Sequence, residues 1–149
     1  MTERIAIAFF VAGCCFVIFG GLVAAVTGPL DLDQGSWLAA YLVLVCGVAQ
    51  CTIGKAQERL AALPVSARLG WSQLTCWNLG NAAVIAGTLT TAPIIVDIGG
   101  ALLLFPLLTT IRAVRHSRQQ ILGWSYRAAI ALLLISIPIG LALAHLRAT

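Results

Sequence analysis

The sequence predicts an all-α protein, a polytopic integral membrane protein folded as one five-helix transmembrane bundle over residues 1–149, with its N-terminus in and its C-terminus out. Three observations carry this prediction. Of the 149 residues, 60% are hydrophobic and 9% charged, whereas soluble domains average about 25% charged residues. The apolar residues form runs long enough to cross a bilayer. The basic residues gather at the ends of those runs, which fixes the orientation.

The first apolar run predicts a transmembrane helix that is not cleaved off. The second predicts a transmembrane helix that continues beyond its apolar residues. The first run is longer than the apolar core of a cleaved signal sequence, so it is expected to stay in the membrane. Ser36 is the expected N-cap of the second span, and Trp37 is a candidate interface anchor. Pro64 is expected to break this second helix. The five spans are placed at about residues 5–26, 37–54, 71–91, 94–111 and 126–144.

The third span, Trp71 to Thr91, holds most of the uncharged hydrogen-bonding side chains of the apolar runs. A lipid-facing amide costs on the order of several kcal/mol, so these side chains are expected to face other helices or a wet cavity. At 100° per residue they fall on one half of the helix. The polar face, for packing or for binding, comprises Gln73, Trp77, Asn78, Asn81 and Thr88, together with Asp97 of the fourth span.

The last two spans each carry a feature of sequence that affects packing. Pro93 leaves only a short turn between the third and fourth spans, so these two are expected to form a tight antiparallel hairpin. Pro106 removes one backbone hydrogen bond inside the fourth span. In the fifth span, Ser136, Gly140 and Ala144 form a ridge of small residues that suits close contact with another helix.

The charges predict which side of the membrane each loop occupies. With the N-terminus in the cytoplasm, every basic residue except Arg147 falls on the inner side, as the positive-inside rule requires. The predominance of Arg over Lys suggests a GC-rich genome, which fits a bacterial source. The expected location is therefore the bacterial plasma (inner) membrane. An inner-leaflet basic cluster is expected to contact anionic headgroups. Its members are Arg112, Arg115, Arg118 and Arg127.

The sequence predicts no enzyme. Its five cysteines all lie in predicted spans without a C-x-x-C pair, so they are expected to behave as small apolar side chains. His116 and His145 fall on opposite membrane faces and cannot share a haem iron or another metal. We therefore expect no catalytic residues, no metal and no cofactor. The net charge of +4 belongs to the ends of apolar runs, so no nucleic-acid partner is expected.

Two functional hypotheses follow from these features. The first is a non-catalytic accessory or assembly subunit of an inner-membrane complex, in contact with the lipid bilayer and with a membrane-protein partner or further copies of itself. The alternative is an oligomeric permease for a small solute or ion, which would use the polar face of the third span and Asp97. The two hypotheses differ in whether that face is packed or open to a solute.

Overall fold

The computed structural model describes residues 3–60 and 66–114, which form helices joined by turns with no strand, so the all-helical prediction is confirmed for them. Four helices cover the described residues. They are α1 (Glu3–Thr27); a second helix built from α2 (Gly35–Tyr41), a π-helical segment (Leu42–Ala49) and α3 (Gln50–Leu60) in unbroken succession; α4 (Ala67–Leu89); and α5 (Pro93–Val114). The predicted fifth span at 126–144 lies outside the described residues, as do Arg115, Arg118 and Arg127.

Three of these helices are long and apolar enough to cross a membrane. They are Glu3–Thr27, Gly35–Glu58 and Pro93–Ala113, with mean hydropathies of 2.6, 1.8 and 2.1. Helix α4, which contains the predicted third span, is not among them. Its 23 residues would reach about 34 Å at 1.5 Å per residue, so its length suffices. Its arginine and its amides lower its hydropathy, and its crossing of the membrane stays a prediction.

The first of two compact units is Glu3–Lys55, where α1 packs antiparallel against the second helix through glycine. A Cβ atom built on Gly47 would lie 3.1 Å from the carbonyl oxygen of Gly13, and one on Gly20 would lie 3.0 Å from that of Ala39. The backbones therefore meet where a side chain would not fit, as small residues permit in membrane helices. The predicted N-cap, Ser36, is wrong. The helix begins one residue earlier, at Gly35, and its N-cap residue makes no side-chain capping bond.

The second unit contains the described residues from Ala56 on, and the predicted hairpin of the third and fourth spans is confirmed in it as α4 and α5. Ser66 caps α4 by accepting a hydrogen bond from the Leu69 amide. The connection is short because Thr91 takes a left-handed backbone conformation, with φ of 52°. A Cβ atom on Gly99 would lie 2.7 Å from the carbonyl oxygen of Gly80, so the two helices touch through their backbones.

Candidate functional site

A group of polar side chains in the second unit joins α3, α4 and α5 through two hydrogen bonds close to the open end of the hairpin. We call it the amide–threonine cluster. It consists of Gln57, Gln73, Thr109 and Thr110, together with the buried Trp77, whose indole N–H makes no hydrogen bond to them. Helical spacing places Gln73 and Trp77 one turn apart on the same face of α4. The two threonines follow Pro106, one turn later on α5.

The first relay in the cluster runs from α3 to the backbone of α5. The Gln57 Nε2 group donates a hydrogen bond of 2.6 Å to the Thr110 hydroxyl. That hydroxyl donates in turn to the carbonyl oxygen of Pro106, also at 2.6 Å. Gln57 is 1% exposed and Thr110 is 0% exposed, so the relay is buried, where hydrogen bonds are stronger than in water.

A second relay of the same form begins on α4. The Gln73 Nε2 group donates to the Thr109 hydroxyl at 2.6 Å, and that hydroxyl lies 2.8 Å from the carbonyl oxygen of Phe105, to which it donates. A hydroxyl has one proton, and a carbonyl oxygen receives it in both relays. Each glutamine must therefore present its NH₂ group to its threonine. This chemistry fixes the amide orientation and turns both amide oxygens away from the threonines.

Three polar atoms of the cluster have no hydrogen-bond partner within residues 3–60 and 66–114. They are Gln57 Oε1, Gln73 Oε1 and Trp77 Nε1. Gln73 is 0% exposed and Trp77 is 1% exposed. A buried polar group without a partner costs about 1–3 kcal/mol. The cluster therefore holds two acceptors and one donor that are available to a further group.

Three further polar side chains of α4 bond to their own helix. The Nδ2 groups of Asn78 and Asn81 donate to the carbonyl oxygens of Leu74 and Trp77, at 2.8 and 2.9 Å. Thr88 donates in the same way to Val84. Asn81 is buried, whereas Asn78 and Thr88 are half-buried. Each of these side chains therefore donates one hydrogen bond within α4.

The predicted polar face is therefore not gathered into one site. Gln73 and Thr88 are separated by 15 positions, or about 22 Å along α4. Asp97 is half-buried near the start of α5, at the turn end of the hairpin. Gln73 and Trp77 take part in the amide–threonine cluster at the other end. These residues were grouped by helical angle, and angle says nothing about their separation along the helix axis.

Three members of the cluster were not predicted from the sequence as site residues. Gln57 lies beyond the predicted end of the second span, and the helix carries it onward to Leu60. Thr109 and Thr110 look like ordinary residues at the end of the fourth span. The sequence did contain a signal for Gln57. It follows Gln50, an amide inside the second span, by seven positions and so lies on the same face of the helix.

The chemistry offered by the cluster is neutral hydrogen bonding. It contains amides, hydroxyls and an indole, and none of these titrates near neutral pH. Within the described ranges, no group of three His, Cys, Asp or Glu residues is placed to hold a metal ion, and the five cysteines carry free thiols. Of the predicted basic cluster, only Arg112 is described, and it is exposed in the last turn of α5.

No protein-family model, curated protein or solved structure matches this chain.

Proposed function

We propose that the chain is a non-catalytic accessory or assembly subunit of a bacterial inner-membrane complex, and that it docks through the exposed face of α4. This docking face is a strip with alternating three- and four-residue spacing, the spacing at which one helix meets another along a seam. It consists of Ser72, Thr75, Leu79, Ala82 and Ala86, all exposed. Apart from Leu79 its side chains are small.

The contrast with the other exposed helix faces supports this proposal most strongly. Helix α1 exposes Ile18 and Leu22 by 66% and 60%, and α5 exposes Ile94 and Ile98 by 71% and 55%. Such large side chains suit contact with acyl chains. Between helices in a bilayer the hydrophobic effect gives little attraction, so small residues that allow close packing decide which faces associate. The docking face therefore fits a transmembrane helix of another subunit.

The polar interior of the hairpin also favours a packed subunit over a permease. Asn78 and Asn81 each donate a hydrogen bond to their own helix, and the amides of the two cluster glutamines donate to threonines of a neighbouring helix. This is the role of polar residues that hold membrane helices together. Asp97 lies at the opposite end of the hairpin from the cluster, so the two do not form a common site.

The proposed topology is multi-pass, with five crossings, the N-terminus in the cytoplasm and the C-terminus outside. The hairpin supports it by the placement of its charges. Arg68 lies in the first turn of α4 and Arg112 in the last turn of α5, so both cations lie at the open end. Asp97 lies near the turn. The positive-inside rule then assigns the open end to the cytoplasm.

A photo-crosslinking experiment in native membranes tests the proposed subunit role. A small diazirine-bearing residue replaces Ala82 or Ala86 on the docking face, and Ile98 on the exposed face of α5 is the matched control position. We expect a protein adduct of defined mass at positions 82 and 86, and lipid adducts at 98. A chain that stays monomeric at every position after irradiation would contradict the proposal. An adduct of twice the chain's mass would identify the partner as a second copy.

A permease remains the second candidate, because the cluster holds three polar groups that have no partner in the described part of the chain. Flux measurements in proteoliposomes separate the two functions. Asp97→Asn and Asn81→Leu change the two residues most central to a transport path along α4 and α5. Unchanged flux in both variants would remove the permease, whereas a loss of flux in both would favour it over the accessory subunit.

A further inference from the structure

We propose that the amide–threonine cluster binds one small neutral hydride, either water or ammonia, that bridges the Gln57 and Gln73 amide oxygens and the Trp77 indole N–H. This inference concerns a binding site and is independent of the proposed docking face. It starts from the three polar atoms that lack partners in the described chain, each on a side chain no more than 1% exposed.

The surrounding bonds hold the two glutamines at one turn of α5. Gln57 and Gln73 are held by hydrogen bonds of 2.6 Å to the adjacent residues Thr110 and Thr109. Both amide nitrogens are engaged by those bonds, so the amide oxygens are the atoms left to meet a ligand. Trp77 lies one turn from Gln73 on the same face of α4, and the proposal places its indole N–H at the same ligand for that reason.

The pattern of donors and acceptors selects the chemical class of the ligand. Two amide oxygens require a ligand that donates two hydrogen bonds, and the indole N–H requires one that accepts. An alkali cation would satisfy the oxygens but would face the indole proton with the same sign of charge. An anion would satisfy the indole but would be repelled by both oxygens. A neutral molecule with two donors and a lone pair meets all three requirements.

The burial of the cluster limits the size of the ligand. Gln57, Gln73 and Trp77 are each at most 1% exposed, which favours a ligand of one heavy atom over a larger one. Water bound inside proteins makes about three hydrogen bonds to groups that are otherwise unsatisfied, and ammonia has the same donor and acceptor capacity within this site. Once occupied, the cluster links α3, α4 and α5 with every polar group satisfied.

Nuclear magnetic resonance of the full-length protein in nanodiscs tests this site, with ¹⁵N-labelled indoles as probes. The Trp77→Phe variant assigns the Trp77 signal by its loss. In the wild-type protein we expect cross-relaxation between the Trp77 indole proton and a resonance at the water frequency. Exchange of this proton with deuterium should be far slower than that of Trp71, whose side chain is 50% exposed.

A second arm distinguishes ammonia from water. At a pH that generates free ammonia, an ammonium salt is titrated into the sample, and methylamine serves as the larger control. A saturable shift of the Trp77 signal with ammonia but not with methylamine assigns the site to ammonia. Cross-relaxation with water and no such shift assigns it to water. The variants Gln57→Leu and Gln73→Leu should each abolish the ligand signal, whereas Asn78→Leu, an amide outside the cluster, should keep it.

The wild-type measurement decides the proposal even where a variant does not fold. If the wild-type indole proton of Trp77 contacts neither water nor ammonia, or exchanges as fast as that of Trp71, the proposed site does not exist. That result would leave the crosslinking of Ala82 unaffected, so the fate of the site and the fate of the docking face can be told apart.

Discussion

The substitution Gly99→Ala tests the close packing of α4 on α5. An added Cβ atom would lie 2.7 Å from the Gly80 carbonyl oxygen and 2.8 Å from the Val84 backbone nitrogen. Both are backbone atoms and cannot rotate away, so the helices must move apart. Forcing an extra carbon into a packed core costs about 1–3 kcal/mol, and these contacts place the cost near 2–3 kcal/mol. Alanine's higher helix propensity returns about 1 kcal/mol, so the net destabilisation is about 1–2 kcal/mol.

The matched control is Gly21→Ala in α1. A Cβ atom there would meet nothing within 4 Å, so only the helix propensity acts and the variant should be more stable by about 1 kcal/mol. The free energy of unfolding is measured by denaturant titration of the purified protein in micelles, with tryptophan fluorescence as the signal. Gly99→Ala should raise the unfolding equilibrium constant about 5- to 30-fold. A Gly99→Ala variant as stable as Gly21→Ala would refute the close approach of the two helices.

Three further outcomes use the same unfolding measurement. Gln50 is 0% exposed and neither of its amide atoms has a partner within the described ranges, so Gln50→Met should stabilise the protein by about 1–3 kcal/mol; destabilisation would count against this reading. Thr110→Val removes the acceptor of the Gln57 amide and should cost about 1–3 kcal/mol, whereas the exposed Thr90→Val should change stability by less than about 0.5 kcal/mol; equal effects would contradict the buried relay. Thr91 holds a left-handed backbone conformation that costs about 1–2 kcal/mol for a residue with a side chain. Thr91→Gly relieves this cost and should stabilise the protein, so a loss of stability would show that the turn does not depend on this conformation.

Hydropathy and helical periodicity were sufficient to predict the helices of the described residues. The predicted spans at 5–26 and 94–111 lie within α1 and α5, and Pro93 gave the position of the hairpin turn correctly. The predicted continuation of the second helix beyond the apolar end of its span at residue 54 is confirmed, since α3 runs through Gln57 to Leu60. No pattern in the sequence indicated the π-helical segment Leu42–Ala49. A π-helical turn holds an extra residue, and in a run that is apolar throughout this leaves the hydrophobic pattern unchanged.

The candidate site was predicted only in part. Burial of Gln73 and Asn81 agrees with the solvation argument for the third span, which depends only on the cost of placing an amide in lipid. The partners of Gln73 could not be predicted, because its contact with Thr109 depends on the register between α4 and α5. That register is set by the contact of Gly80 with Gly99, and no local pattern in either helix specifies it.

The proposed arrangement depends most on α4 crossing the membrane, although it is not among the three helices apolar enough to do so by composition. Single cysteines at Ala67 and Thr91, both exposed at the two ends of α4, test this in a variant whose native cysteines are replaced. Intact cells and inverted vesicles are labelled with a membrane-impermeant maleimide. We predict that position 91 is labelled only in cells and position 67 only in inverted vesicles. Labelling of both positions from the same side would show that α4 does not cross, and would contradict the proposed topology and docking face together.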